Sequence, residues 1–152
     1  DLEREALDYS VNGMFSTEYG QFTTGWNATQ YLNYDAEVSY GTGDLYDAVG
    51  VLGFPEWRMN AYVAWTMNNM FANLAWDFIG ESESSTTDTE YDSWDVLNAS
   101  VGYNFDSWGT LTFGANNVTD EDPLLDAQGA MVDEYQYPLV GRVWYLRYTL
   151  EM

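Results

Sequence analysis

The sequence lacks several of the side chains on which much protein chemistry depends. Among its 152 residues there is no cysteine, no histidine and no lysine, and four arginines stand against 25 acidic residues. Without thiols or imidazoles, disulfides, thiol catalysis, histidine acid–base catalysis and the usual zinc sites are excluded. A formal net charge of −21 also argues against nucleic acid as a partner, because phosphate contacts need a basic surface.

Long apolar runs are absent as well, whereas aromatic residues are abundant. No stretch approaches the about 18 consecutive apolar residues of a membrane-spanning helix. The first residues, Asp1 to Arg4, include neither an initiator methionine nor a signal peptide. Aromatic residues make up 18% of the chain, about twice the usual share. An acidic chain so rich in aromatics is not typical of disorder, and we expect a mature chain or a piece of one.

Seven stretches alternate apolar with polar or small residues, and this period of two is typical of β-strands. We predict no helix, and strands over the ranges Leu7–Phe15, Phe22–Tyr34, Glu56–Met67, Met70–Ile79, Asp95–Phe105, Thr110–Asn116 and Arg142–Met152. The predicted connections alternate in length along the chain. Short turns lie at 16–21, 68–69 and 106–109, and long loops lie at 35–55, 80–92 and 120–141.

The two sides of the predicted strands differ in chemistry. One side carries Trp, Phe, Tyr, Leu, Val, Met and Ala, and the other carries Asn, Ser, Thr, Gly, Arg and Asp. A transmembrane β-barrel has this pattern, with lipid outside, a wet lumen inside, short turns at one end and long loops at the other. A soluble β-sandwich also has apolar inner faces, but its strands are usually only about 5–6 residues long. We therefore interpret the chain as all-β, with antiparallel transmembrane β-barrel strands.

Three segments carry a resemblance to a known family. They are GFPEWRMNAYVAW, GTLTFGANNVTDEDP and YPLVGRVWYLRYTLEM. In this order they resemble the C-terminal barrel strands of TonB-dependent outer-membrane receptors, in a match that runs from about Leu2 to Met152. Its most specific parts are Asn116–Asp120 and Gly141–Tyr145. The family usually ends in phenylalanine, whereas the last residue here is Met152. Either methionine substitutes for phenylalanine or the true terminus lies elsewhere.

The resemblance implies a roughly 22-stranded barrel with a plugged lumen. Residues 1–152 would form a single C-terminal segment of about seven strands, without the plug domain and the TonB box. Such receptors import a scarce ligand (a siderophore, cobalamin, a carbohydrate or similar) across the outer membrane of Gram-negative bacteria. The implied partners are outer-membrane lipid and lipopolysaccharide, the rest of the barrel and its plug, the TonB complex through the missing N-terminal part, and the barrel-assembly machinery through the C-terminal strand.

The phase of the alternation assigns candidate residues to each side of the strands. The lumen-facing candidates for ligand contact are Arg58, Asn60, Tyr62, Asn73, Asp77, Asn98, Tyr145 and Arg147. The candidates for an aromatic girdle at the membrane surface are Trp57, Trp65, Trp76, Trp144 and Tyr148. For the arginines of the strands we favour ion pairs with neighbouring strands over contacts with an anionic ligand or the plug. We predict no catalytic residue, no metal ligand, no cofactor and no enzymatic activity.

More than half of the acidic residues fall in the three long loops. A negatively charged mouth for cations or a Ca²⁺ site is one interpretation. Because no EF-hand spacing is present, we favour hydrated loops.

A different function remains open, because the predicted strands taken alone leave two sheet edges without a partner. The chain would then be a small outer-membrane or secreted acidic β-protein with a structural or adhesive role. It would assemble through its open strand edges.

Overall fold

The computed structural model describes residues 3–37, 41, 43–84, 88–125, 137 and 140–150. In chain order its strands are β1 (Arg4–Thr17), β2 (Gly20–Glu37), β3 (Leu45–Asp47), β4 (Trp57–Met67), β5 (Met70–Ile79), β6 (Ser82–Glu83), β7 (Glu90–Tyr91), β8 (Trp94–Asn104), β9 (Thr110–Asn116) and β10 (Val143–Thr149). One 3-10 turn, Asp106–Trp108, precedes β9. No helix in the described ranges is long and apolar enough to span a membrane.

The strands form one antiparallel meander, which confirms the predicted all-β class. The order across the sheet is β1-β2-β4-β5-β8-β9-β10, with β3 paired to the end of β2. Strands β6 and β7 form a separate small hairpin in the second long loop. Because seven strands lie on the path and each pair is antiparallel, β1 and β10 run in the same direction. Among the described residues, neither of these edge strands has a second neighbour.

The short turns all lie at one end of the sheet, as the connection lengths predict. Turns of two residues join β1 to β2 and β4 to β5, and in the second of them Asn68 takes a φ of 53°. Asparagine tolerates this left-handed conformation better than most residues. The turn before β9 uses Asp106 at φ 55° and Gly109 at φ 98°. The long loops therefore meet at the opposite end of the sheet.

Several predicted boundaries differ from the observed ones. Strands β1 and β2 are 14 and 18 residues long, and both extend beyond the predicted ranges at their two ends. The final strand ends at Thr149, whereas the alternation extended it to Met152, which lies outside the described residues. The short strands β3, β6 and β7 were not predicted, because two or three residues are too few to display a period.

A bulge in β2 changes the phase of the alternation. The register of β1 and β2 shifts at Leu32, which is an extra residue in β2. Beyond it Tyr34 pairs with Arg4, whose guanidinium lies 4.3 Å from the centroid of the Tyr34 ring. Arg4 and Asp8 lie on the same, polar side of β1, so Tyr34, which pairs with Arg4, lies on the polar side as well. The alternation places Tyr34 on the apolar side, and this is wrong because one inserted residue reverses the phase.

Elsewhere the register aligns the predicted sides across the whole sheet. We call the side with Trp26, Trp65, Leu74 and Val101 the apolar face, and the side with Asn27, Asn60, Asn73 and Asn98 the polar face. The apolar face is largely uncovered: Val11 is 65% exposed and Leu146 is 69% exposed. Every substantial contact between described elements is a strand pairing. No second layer among these elements packs against the apolar face.

The hydrophobic cluster of buried residues lies on the polar face, near the long-loop end. It consists of Ile79, Trp94, Val96 and Tyr137, with Leu124 packed against it. Ile79 pairs with Trp94 in the register of β5 and β8. Leu124 follows β9 in the chain, and the Asp122 carbonyl nearby accepts a hydrogen bond from Trp94 Nε1 at 3.1 Å, so these residues lie against the polar face. This arrangement is the reverse of a soluble sandwich, where the apolar face would hold the core.

Candidate functional site

All eight predicted lumen candidates lie on the polar face. Asn60 pairs with Asp77, Tyr62 with Ala75, and the remaining candidates follow in the same phase. The face also carries hydrogen bonds between neighbouring strands, which occupy several of these side chains.

The amide and hydroxyl groups of the polar face join one strand to the next. The Ser10 hydroxyl donates to Asn27 Oδ1 at 2.9 Å, and Asn27 Nδ2 donates to Asn60 Oδ1 at 3.0 Å. Further along, Asn98 Nδ2 donates to Asp77 Oδ2 at 3.3 Å. Asn60 and Asn98 therefore contribute to the cohesion of the sheet. We call this row of side chains the polar ladder.

The two tyrosine candidates cover glycines of neighbouring strands. Tyr62 pairs with Gly25, where an added Cβ would overlap the tyrosine ring. Tyr145 pairs with Gly114, where an added Cβ would lie 2.6 Å from the ring. Close approach of a ring to a backbone needs glycine, because any other residue fills that space. Tyr62 and Tyr145 thus fill space over the sheet.

Three of the eight candidates line one pocket of about 560 Å³. Arg58, Asp77 and Asn98 come from β4, β5 and β8, and Asn116 and Asn117 add their amides at the end of β9. The other candidates lie elsewhere. Arg147 pairs with Thr112, which pairs with Gly102. Arg147 therefore lies four residues nearer the short turns than the pocket residues Asn98 and Asn116, or roughly 13 Å along the strands.

Asn117 holds the pocket wall in place, and the alternation did not single it out. It takes a φ of 52° and is 5% exposed. Its backbone N–H donates to Asn98 Oδ1 at 3.0 Å, and its side chain exchanges two hydrogen bonds of 2.8 Å with the backbone of Glu121. Such a pair mimics a backbone turn. The sequence signal that could have pointed to Asn117 is the pair Asn116-Asn117 at the end of a predicted strand, followed by the acidic residues 120–122.

A second interaction closes this segment onto the last strand. Arg142 Nη2 lies 3.2 Å from Asp120 Oδ2, and the Arg142 N–H donates to Asp120 Oδ1 at 2.7 Å. Arg142 Nη1 also donates to the Val118 carbonyl at 3.1 Å. These contacts, which we call the Asp120–Arg142 clamp, join the Asn116–Asp120 and Gly141–Tyr145 segments. The two segments lie apart in the sequence, and each was singled out for its own resemblance without a predicted contact between them.

The ion pairs favoured for the strand arginines are found only in part. Arg142 pairs with Asp120, which lies in the loop after β9 instead of in a neighbouring strand. Arg147 has no salt bridge to a described residue, and its guanidinium lies 5.7 Å from the centroid of the Tyr145 ring.

Substitution of Asp120 measures the strength of the clamp. We expect Asp120→Ala to lower the free energy of unfolding by about 1–2 kcal/mol, because it removes two hydrogen-bond acceptors and the ion pair. Alanine also fits the φ of 63° at this position poorly. Asp120→Asn keeps an acceptor and tolerates this φ, so its loss should stay below about 1 kcal/mol. Urea unfolding followed by tryptophan fluorescence tests both values, and equal losses would contradict the clamp.

The five girdle candidates lie on the apolar face at different heights. At the short-turn end, Trp65 Nε1 donates to the Tyr19 carbonyl at 2.6 Å, and the Tyr148 hydroxyl donates to the Trp108 carbonyl. Toward the long-loop end, Trp76 Nε1 donates to Asp95 Oδ2 at 3.0 Å. An apolar ring with a hydrogen-bonded polar tip is typical of membrane-interface aromatics.

Two girdle candidates lack such a hydrogen bond in the described ranges. Trp57 stacks on Tyr9 at the long-loop end, with ring centroids 6.0 Å apart. Trp144 pairs with Ala115 near the middle of the sheet and stacks on Phe113 at 5.5 Å. Tyr19 and Trp108 were not among the girdle candidates, although they are 68% and 77% exposed at the turns.

The described parts of the acidic loops were compared with the requirements of a metal site. Within the described ranges, no group of three or more acidic residues is placed to hold one. Asp126, Asp133 and Glu134 of the third loop lie outside these ranges. The hydrated-loop interpretation stays a prediction.

Comparisons with protein-family models, with curated proteins and with solved structures find no match. The function must therefore be inferred from the chemistry of the two faces and from the segments that the clamp joins.

Proposed function

We propose that the chain is the C-terminal wall of a TonB-dependent receptor barrel in the outer membrane of a Gram-negative bacterium. The rest of the barrel, its plug and the TonB complex would complete an importer of a scarce ligand. One observation carries this proposal: a continuous apolar face is exposed while the opposite face holds a hydrogen-bonded polar ladder. Lipid on one side and a wet lumen on the other account for both faces.

The dimensions of the strands support a place in the hydrocarbon. A tilted strand needs about 9–11 residues to cross it. Strands β4, β5 and β8 have 11, 10 and 11 residues, and β1 and β2 are longer. Soluble monomers rarely expose so large an apolar surface.

The directions of the edge strands favour a larger barrel. Because β1 and β10 run in the same direction, closure with antiparallel pairs alone requires an odd number of further strands. Open edges in lipid leave backbone groups without hydrogen bonds, at a cost of several kcal/mol each. Strands from another part of the receptor would satisfy both edges.

The Asp120–Arg142 clamp supports the family assignment. Asn116–Asp120 and Gly141–Tyr145 are the segments that most resemble the receptors, and the clamp makes them one structural unit. The two segments also meet in the register of β9 and β10, where Asn116 pairs with Val143.

Fractionation of the source cells tests the proposal. We expect peptides of this chain in the outer-membrane fraction of a sucrose gradient, resistant to carbonate extraction, in a polypeptide several times larger than 17.3 kDa. Immunoblots should show a band whose mobility changes on boiling, because a barrel stays folded in cold detergent. Recovery in the culture medium, or in carbonate-extractable material, would contradict membrane insertion. A membrane band at 17.3 kDa would contradict the receptor.

The open edges favour a second candidate function. An acidic β-protein with a structural or adhesive role would pair β1 of one copy with an edge of another. Such a protein would migrate as a ladder of multiples of 17.3 kDa in native gels. A receptor would migrate as one species.

A further inference from the structure

Three residues of the third long loop lie against the polar face near the long-loop end. The Tyr137 ring meets the Trp94 ring edge-on, with centroids 5.4 Å apart and planes at 82°. Trp94 Nε1 donates to the Asp122 carbonyl at 3.1 Å, and Leu124 packs against the same hydrophobic cluster. This cluster extends to Ile79 in β5, which is the second strand from β9 and lies roughly 10 Å away across the sheet. We call Asp122, Leu124 and Tyr137 the inner residues.

The inner residues cover one side of the polar face and leave the other side open. Ser10, Asn60 and Val96 lie in one row of the register across β1, β4 and β8. Val96 is 5% exposed, whereas Ser10 and Asn60 are exposed. In the next row toward the long loops, Ile79 and Trp94 are buried as well. The cover therefore lies over β5 and β8, and the polar face of β1, β2 and β4 stays open.

Packing and hydrogen bonds hold the inner residues in place. The Tyr137 side chain is buried against Trp94, and an edge-to-face pair of aromatic rings is favourable beyond the area that it buries. Before the inner residues, the Asn117 side chain exchanges two hydrogen bonds with the backbone of Glu121. After them, the Asp120–Arg142 clamp returns the chain to the last strand. The loop is therefore attached to the polar face near both of its ends.

We propose that the inner residues form a fixed constriction at the outer mouth of the barrel, which selects ligands by size and by route. The inference rests on the proposed function, in which the polar face lines the lumen. The constriction narrows the opening on the side of β5 and β8. It leaves a ligand the side of β1, β2 and β4, where the polar ladder offers amide and hydroxyl groups. Leu124 and Tyr137 act as positioning residues, because they contact the wall of the lumen.

Cysteine labelling of the whole protein in its source cells tests this inference, because residues 1–152 contain no cysteine of their own. Val96→Cys places a thiol beneath the inner residues, and Ser10→Cys places one in the same row on the open side. The reagent is a sulfonated maleimide that does not cross membranes, and mass spectrometry of the labelled peptide gives the rate. We expect Ser10→Cys to react at least tenfold faster than Val96→Cys, since a buried thiol reacts slowly.

Removal of the buried ring should open the covered side alone. We expect Tyr137→Ala to raise the labelling rate of Val96→Cys at least fivefold and to change that of Ser10→Cys less than twofold. Tyr137→Phe keeps a ring against Trp94, so it should change both rates less than twofold. If Tyr137→Ala fails to fold, which a loss of heat-modifiable mobility would reveal, Leu124→Ala takes its place and should also speed the labelling of Val96→Cys.

Several outcomes would overturn the constriction. They are equal labelling rates of the two cysteines, no effect of Tyr137→Ala, or the same increase at both cysteines. Slow labelling of both would mean that the side of β1, β2 and β4 is covered too, which contradicts the open route. Cell fractionation measures membrane location independently. A protein in the outer membrane with equal rates therefore contradicts only the constriction, whereas a protein outside that membrane contradicts the proposed function.

Discussion

Leu74→Arg is expected to destabilise the membrane-inserted protein by about 2–4 kcal/mol, the cost of arginine on the lipid side near the bilayer midplane. Leu74 is the fifth residue of the ten in β5, lies on the apolar face and is 44% exposed. In hydrocarbon the guanidinium would lose its hydration, and in water this exposed position would tolerate it. The measurement is urea unfolding in phospholipid vesicles, with outer-membrane abundance as the cellular readout.

Two variants control this result. Asn73→Arg places the same side chain one residue earlier, on the polar face, where we expect a loss below about 1 kcal/mol because that face is wet. Leu74→Ala separates the loss of apolar contact from the cost of the charge. If Asn73→Arg and Leu74→Arg were equally harmful, the two faces would not lie in different solvents, and the membrane assignment would be lost.

Gly102→Val is the second substitution with a large expected effect, at about 1–3 kcal/mol from overpacking. Gly102 pairs with Phe71 across β5 and β8, and an added Cβ would overlap the phenylalanine ring. The ring covers the glycine as Tyr62 covers Gly25. We expect a lower urea midpoint and a smaller fraction of folded, heat-modifiable protein.

Removal of the ring should rescue this variant. The three nearest atoms to an added Cβ at Gly102 all belong to Phe71, so Phe71→Ala clears the space. The double variant Phe71→Ala/Gly102→Val should therefore be more stable than the sum of the two single losses predicts, with a coupling of about 1 kcal/mol or more. Additive losses would mean that the ring and the glycine do not share this space.

The alternation predicted most of the sheet because both faces are chemically uniform. Asn73 and Leu74 were assigned to opposite sides from the period of two alone, and their register partners Ser100 and Ala99 agree with this assignment. The turn at Asn68 and Asn69 could also be predicted, because two asparagines between two alternating runs are a strong signal for a β-hairpin. The side of each lumen candidate follows from the same period.

The contacts that shape the candidate site could not be predicted in this way. The period assigns a side to Asp77 and Asn98, but it does not show that Asn117 and Val140 line a pocket with them. Asp120 and Arg142 are 22 positions apart, and Asp120 lies outside every periodic run, so no period relates the two residues. Leu32 reverses the phase of β2 without any glycine or proline to mark the bulge. Such features depend on tertiary contacts that a local pattern does not contain.

Along the path of the seven main strands, each strand is hydrogen-bonded to the next one, always with opposite direction. Excision of β4 and β5 together would bring β2 beside β8 with their directions still opposed. Excision of one strand alone would leave two parallel neighbours. An antiparallel meander can therefore gain or lose whole hairpins during evolution without changing the pairing of the remaining strands. We expect insertions and deletions among related proteins to add or remove strands two at a time.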